Sequence, residues 1–245
     1  MSSAPLARSR TSEAVVEHIL GQLFSGQLRE GDRVDLDALA ATLEVSRVPV
    51  REALAQLERD GIVGIRHHRG AFVAAFDAVT IREAFELYAL LSGLTSSRVA
   101  ERRDPEVLAA LDRLERQVER ARGVDQFELV ARDIRQVINV AAGGPHMRAL
   151  LRTFRGLVPA AARLGMKEAM PEERNYIKAE LAAIRRGAAA TAATTAIEHI
   201  RYSGECAING LIRRGILGSR EPAERPDATA ELARVIQAIT GPGQR

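Results

Sequence analysis

Aromatic residues are scarce in this chain: they make up 4% of its 245 residues, and tryptophan is absent. With 46% of the residues apolar, any core must be assembled from Leu, Ile, Val and a large share of Ala. That composition favours closely packed helices over sheets. One cysteine, Cys206, excludes an internal disulfide framework and fits a reducing cytoplasm. No uncharged apolar run reaches the ~18 residues that a bilayer demands, and the Ala/Thr tract over 187–197 is too short and too weakly hydrophobic. The opening MSSAPLARSR has basic residues with no apolar stretch behind them, so it does not read as a signal peptide. Histidine is also sparse, at five, and there is no Gly-rich phosphate loop, Ser/His/Asp set or zinc-spaced cluster. These absences count against an enzyme and against an organic cofactor.

What is present is charge, arranged locally. The net of +3 says little, and residues 1–76 hold nine arginines against ten acidic residues. Over 47–74, however, Arg47, Arg51, Arg59, Arg66 and Arg69 face only Glu52, Glu58 and Asp60. A phosphate-binding surface needs a local field of this kind rather than a basic total.

The apolar rhythm explains where those arginines stand. Val15, Val16, Ile19, Leu20 and Leu23 predict an amphipathic helix over 11–24, with Ser12 as its cap. A shorter helix over 36–43 carries Leu36, Leu39, Ala40 and Leu43 on one face. Glu44-Val45-Ser46 is a tight connection, with Ser46 placed to cap the next helix. That helix has Val50, Ala53, Leu54 and Leu57 as its inner stripe. Arg47 and Arg51, four apart, project together from its other face near the N-terminus, and Pro49 sits in its first turn. Two short helices, a three-residue turn and a third helix presenting arginines make a helix-turn-helix layout. After Gly61 the period changes: Ile62, Val63, Ile65 and Val73 flank a polar Arg66-His67-His68-Arg69-Gly70 turn, which predicts two strands and a charged tip.

The stretches Val45-Ser46-Arg47-Val48-Pro49-Val50-Arg51-Glu52-Ala53-Leu54, Leu57-Glu58-Arg59-Asp60-Gly61-Ile62-Val63 and Arg69-Gly70-Ala71-Phe72-Val73 resemble the winged helix of the GntR family of bacterial regulators. Gly26 to Gly31 and Leu39-Ala40 extend the likeness, which runs through nearly all of 12–74. The resemblance implies homodimers that bind a near-palindromic operator in double-stranded DNA. It implies DNA contacts from Ser46, Arg47 and Arg51, and from His68, Arg69 and Gly70 at the wing, in a cytoplasmic, nucleoid-associated protein.

From Thr80 onward almost every segment is helical in period, with candidate helices over 81–101, 106–120, 124–142, 147–165, 172–186 and 188–217. Asp104-Pro105, Gly123, Gly143-Gly144-Pro145 and Gly187 mark the breaks, and Met170-Pro171 marks a start. The fold class expected is mainly α: a winged helix-turn-helix with a small β-wing over 8–76, an antiparallel helical bundle over 77–217, and a polar tail over 218–245 with a possible short helix at 230–239. Several polar residues fall on faces of the bundle that should be partly buried. Arg135 and Asn139 lie one turn apart, and His199, Tyr202, Ser203 and Cys206 share a face. A binding cavity is one way to satisfy such groups; an ion pair of Arg135 with Asp133 or Glu128 is another.

Residues 80–217 resemble the effector domain of the FadR subgroup of the same family, through 134–145 with Leu150-Leu151 and through 183–187 with Ala192, His199 and Ile200. In many members an Asp and a His four residues apart, with two later histidines, hold a divalent metal. Here Ala131, Arg135 and Ile177 stand at three of those positions, and His199 alone is retained. Ala and Ile cannot ligate, and Arg has no acceptor. The expectation is therefore a small organic anion, held without metal by Arg135 with Asn139, His199 and Tyr202 around it, that changes operator affinity. A DNA-binding scaffold whose helical half only dimerises is the alternative, and a helical-bundle enzyme is a remoter one.

Overall fold

The computed structural model describes residues 4–66, 69–74, 76–154 and 156–218. The expected contact from His68 and the expected helix at 230–239 lie outside the described residues.

Helix α1 (Ala4–Phe24) begins well ahead of residue 11, so Ser12 lies within it instead of capping it. Val15, Val16, Ile19, Leu20 and Leu23 are all buried along one side. After the short strand β1 (Arg33–Val34), helix α2 (Leu36–Thr42) is capped by Asp35, whose Oδ1 accepts from the N–H groups of Asp37 and Ala38 at 2.9 and 3.0 Å. A turn with Glu44 in the left-handed region, φ 53°, leads to α3 (Arg47–Arg59). Ser46 stands at the N-cap of α3, but its hydroxyl makes no capping bond. The usual partner would be the third helical N–H, and that residue is Pro49, which has none.

Strands β2 (Val63–Arg66) and β3 (Gly70–Val73) pair antiparallel as the wing, and β1 adds a third strand on the free edge of β3, giving the order β1-β3-β2. Arg33 lies opposite Phe72, and Val34 lies opposite Ala71. Gly70 turns the chain into β3 at φ 93°, where a Cβ is strained.

Seven further helices follow among the described residues: α4 (Ala78–Arg102), α5 (Pro105–Arg120), α6 (Val124–Ala142), α7 (Pro145–Thr153), α8 (Leu157–Ala162), α9 (Met166–Arg186) and α10 (Ala189–Arg213). Local chemistry sets several ends. Asp77 caps α4 through the Thr80 N–H at 2.7 Å, and Asp104-Pro105 opens α5. Gly187, at φ 72°, closes α9.

Two boundaries depart from expectation. The helix foreseen over 147–165 is broken into α7 and α8, because Leu157, Val158 and Ala161 turn to pack on the winged head. Helix α9 starts at Met166 and runs through Pro171, where a start was expected; buried Met166 and Ala169 hold the turn ahead of the proline.

Helices α4 and α10 form the spine and run antiparallel. A Cβ on Gly93 of α4 would stand 2.8 Å from Ile197, and one on Gly204 of α10 would stand 2.8 Å from Phe85. Both distances are closer than atoms tolerate, so these contacts need glycine. Two apolar cores lie along the spine. One joins the head (Val15, Ile19, Leu23, Val50, Leu57) to α8 and to Phe85 of α4 and Leu211 of α10. The other lies among the far halves of α4 and α10 with α5, α6 and α9, and includes Val99, Leu111, Phe127, Ile138, Ile177 and Ile184. Between them the spine is polar, with Ser92, Thr95, Ser96, His199 and Ser203 all buried. No helix of the described residues is long and apolar enough to cross a membrane.

Candidate nucleic-acid interface and buried polar layer

Burial splits α3 into two faces. Val50, Ala53, Leu54 and Leu57 are packed into the head, which leaves Arg47, Val48, Arg51 and Glu52 exposed. Arg47 and Arg51 thus project from the first turns of the helix into solvent. Val48, 47% exposed between them, was not singled out by sequence reasoning. An outward valine beside two arginines offers an apolar contact suited to a thymine methyl group. Arg47 is not isolated: its Nε lies 2.7 Å from Asp37 Oδ1 on α2. Ser46, with no capping duty, keeps its hydroxyl at the mouth of the same face.

The wing adds a second basic surface. Arg69 and Gly70 are exposed at its tip. Arg66 lies over the Phe72 ring, 4.9 Å from guanidinium carbon to ring centroid. Arg33, carried in by β1, places its Nε 3.5 Å from where a Cβ on Gly70 would stand. Sequence reasoning missed Arg33 because nothing in a two-residue strand signals that it will pair with β3.

Within the bundle, Arg135 is 9% exposed and paired. Its Nη1 donates to Glu180 Oε1 at 3.0 Å and its Nη2 to Oε2 at 2.7 Å, a bidentate pair. Ser96 Oγ accepts from Nη1 at 3.2 Å and donates to Glu180 Oε1 at 2.5 Å. The partner of Arg135 is therefore Glu180 of α9, not Asp133 or Glu128; Glu128 is held by Arg132 and Arg163. Asn139, half-buried, accepts from the Thr95 hydroxyl at 3.0 Å.

A second cluster lies two turns away along α9. His199 Nε2 faces Glu173 Oε2 at 2.5 Å, and the Ser203 hydroxyl donates to the other oxygen of the same carboxylate. His199 Nδ1 is buried without a partner. The Tyr176 ring stacks on the imidazole, with centroids 5.5 Å apart and planes 11° from parallel. Tyr202 leans on Tyr176 at 5.6 Å, and burial together with Cys206 pushes its phenol up to about 12, so it is a neutral donor at physiological pH. Among the described residues the four expected to share a site fall into two groups: Arg135 pairs with Glu180 and Asn139 with Thr95, whereas His199 pairs with Glu173 and meets Tyr202 through Tyr176. Neither acid had a sequence signal, since both read as ordinary surface positions of a helix.

Residues 11–73 match the family model described as bacterial regulatory proteins, gntR family. An uncharacterized HTH-type transcriptional regulator of Mycobacterium tuberculosis is 36% identical over 214 residues, covering 87% of this chain and 88% of that protein.

The chain belongs to the GntR family of bacterial regulatory proteins.

Two solved structures share the fold of this GntR protein. E. coli McbR/YncC has a TM-score of 0.59 at 21% identity, over 84% of this chain and 98% of its own. A GntR family member from Pseudomonas syringae pv. tomato str. DC3000 has a TM-score of 0.50 at 20% identity, over 84% and 89%. The GntR protein is a DNA-binding transcriptional regulator, as its relatives are named.

The residues at positions 131, 135, 177 and 199 of this GntR regulator do not fit a divalent metal. Ile177 is buried and apolar, Arg135 brings a positive charge already matched by Glu180, and one ring nitrogen of His199 is committed to Glu173. Among the described residues no group of three or more His, Cys, Asp and Glu side chains is gathered for an ion.

Removing one partner of a buried pair strands the other charge. We expect Glu180→Ala to lower stability by ~3–5 kcal/mol in urea denaturation, and Arg135→Met with Glu180→Leu to recover most of that loss. A loss below ~1 kcal/mol for Glu180→Ala would show that Arg135 finds solvent or another partner.

Proposed function

We propose that the chain is a homodimeric operator-binding regulator of the FadR subgroup, with residues 8–76 as the DNA-binding head and 77–217 as the domain that dimerises and takes a small-molecule effector. The observation that carries the DNA reading is the exposed pair Arg47 and Arg51, projecting from the first turns of a helix whose opposite face is buried. The planar fork of arginine fits the two major-groove acceptors of guanine. Ser46 supplies a hydroxyl to the backbone, and Arg33, Arg66, Arg69 and Gly70 bring the wing to an adjacent groove. Arg51→Ala should lower affinity for the preferred site, found by selection in vitro, by about 1–3 kcal/mol and blur the preference at one base pair. An equal loss on scrambled DNA would reduce Arg51 to a phosphate contact.

One head reads only a few base pairs, so a near-palindromic operator calls for two. The outward side of α4 supports a dimer through the bundle: Leu87 is 50% exposed and Leu94, two turns on, 42%. Leu87→Glu with Leu94→Glu should give a monomer at micromolar concentration by light scattering. A persistent dimer would move the interface elsewhere.

For the effector, the reading is an organic anion that competes with Glu180 for Arg135. Glu180 already offers Arg135 the bidentate partner that a ligand carboxylate would be, with Ser96 beside it. An organic acid therefore binds by exchanging with Glu180, and the release of Glu180 alters how α9 sits against α6 and α4. Isothermal titration with a panel of small carboxylic acids should show tighter binding to Glu180→Gln than to the wild type, because the internal competitor has lost its charge. Acids that bind both proteins equally well, or bind Arg135→Ala undiminished, would remove Arg135 from the effector site.

A further inference from the structure

Asp37 is an odd residue to find on a surface built to meet a polyanion. It lies in the first turn of α2, and its Oδ1 stands 2.7 Å from Arg47 Nε, with both side chains 65% exposed. So exposed a pair contributes little to the fold, and a first-turn acid adds a modest favourable interaction with the α2 dipole, which an acid facing away from Arg47 would supply equally. Capping does not account for it either: Asp35 caps α2, accepting from the N–H of Asp37 itself. A carboxylate at this place also repels the phosphates that the head must approach, which lowers affinity for every DNA sequence.

We propose that Asp37 is a positioning residue for base reading by Arg47, holding the guanidinium by its Nε edge so that Nη1 and Nη2 face the groove as a ready-made fork. The proposal rests on the reading of α3 as the recognition helix. The chemistry is that of pre-organisation. A free arginine side chain loses its rotamer freedom on binding, whereas one already oriented loses less of it. The two Nη groups are the donors that match O6 and N7 of guanine, and the Nε edge is the side of the guanidinium that this contact leaves unused. Asp37 also discourages Arg47 from swinging to a neighbouring phosphate, because the carboxylate would then lose its partner beside the DNA backbone. General affinity is lowered, and discrimination between bases is raised.

The test compares wild type, Arg47→Ala, Asp37→Asn and Asp37→Glu by fluorescence anisotropy. Each is titrated with the selected operator, with operators altered at single base pairs, and with an unrelated duplex. Arg47→Ala first identifies the base pair that Arg47 reads. At that base pair Asp37→Asn should lose about three- to tenfold in discrimination while binding the unrelated duplex more tightly than the wild type does. Asp37→Glu should restore part of the discrimination. In the Arg47→Ala background, Asp37→Asn should change discrimination no further. If Asp37→Asn keeps full discrimination at the Arg47 base pair, or if operator and unrelated duplex gain affinity equally, Asp37 is a simple repulsive charge and the proposal is overturned, with the recognition helix untouched. If Arg47→Ala singles out no base pair, base reading by Arg47 fails first and takes the proposal with it. Circular dichroism of each variant separates these outcomes from a misfolded head.

Discussion

The close crossing of α4 and α10 is the constraint on which the rest of the molecule depends. At Gly93 and Gly204 the two helices come near enough that neither position has room for a methyl group. Contacts this tight fix the two helices in rotation and in register, because sliding either one drives a side chain into the other backbone. Everything else is laid on the spine. Helices α6 and α9 flank its polar middle, α8 and the winged head cover the end nearer Phe85 and Leu211, and α5 closes the far side over α6 and α9. Small residues make the approach possible, which is the structural return on a composition rich in alanine and poor in aromatics.

The same register aligns the buried polar layer. Ser96 from α4, Arg135 from α6 and Glu180 from α9 meet at one level, and His199 and Ser203 from α10 meet Glu173 at the next. Charges in such a place cost desolvation that their attraction only partly offsets. What they contribute is definition: three helices must arrive at one rotation for the bidentate geometry to close. A protein that held a metal here would use the ion to tie the helices together. This chain uses a guanidinium on a flexible stem, which carries one positive charge in place of two and offers donors where a metal offers empty orbitals.

How much of this was legible in the sequence depended on the range of the interactions. The helix-turn-helix and wing were readable because their signals are local: inner stripes three and four residues apart, Pro49 in a first turn, Gly70 where the backbone turns back. The breaks at Asp104-Pro105 and Gly187 were readable for the same reason. Ser46 stands at the N-cap as expected but makes no capping bond, since the third helical nitrogen is that of a proline. The division of 147–165 into α7 and α8 had no local cause; it follows from the pull of the head core on Leu157 and Val158. Arg135 stood out as a cation on an inward face, but its partner lies 45 residues away on another helix. Glu173 and Glu180 stayed hidden because the facing of a helix is decided by its neighbours. Arg33 and Asp37 were unreadable in the same way, one brought to the wing by strand pairing and the other set beside Arg47 by the crossing of two helices.

The seam between head and bundle has a mechanical meaning. Asp60, the residue that ends α3, has a buried oxygen 3.5 Å from where a Cβ on Gly156 would stand, at the entrance to α8, with Val16 and Leu20 beside it. Burial pushes its carboxyl up to about 6, a sign of how closely the two parts meet. Helix α3, packed along α1, α2 and β2, therefore moves with the head, whose seam with the bundle lies at the end away from the arginines. Its 13 residues make a rod about 20 Å long, at roughly 1.5 Å per residue. A tilt of the head by about 5° at this seam swings the Arg47 end through about 1.7 Å. A small rotation of the head on α8 is thus multiplied along α3 before it reaches the end that carries Arg47 and Arg51.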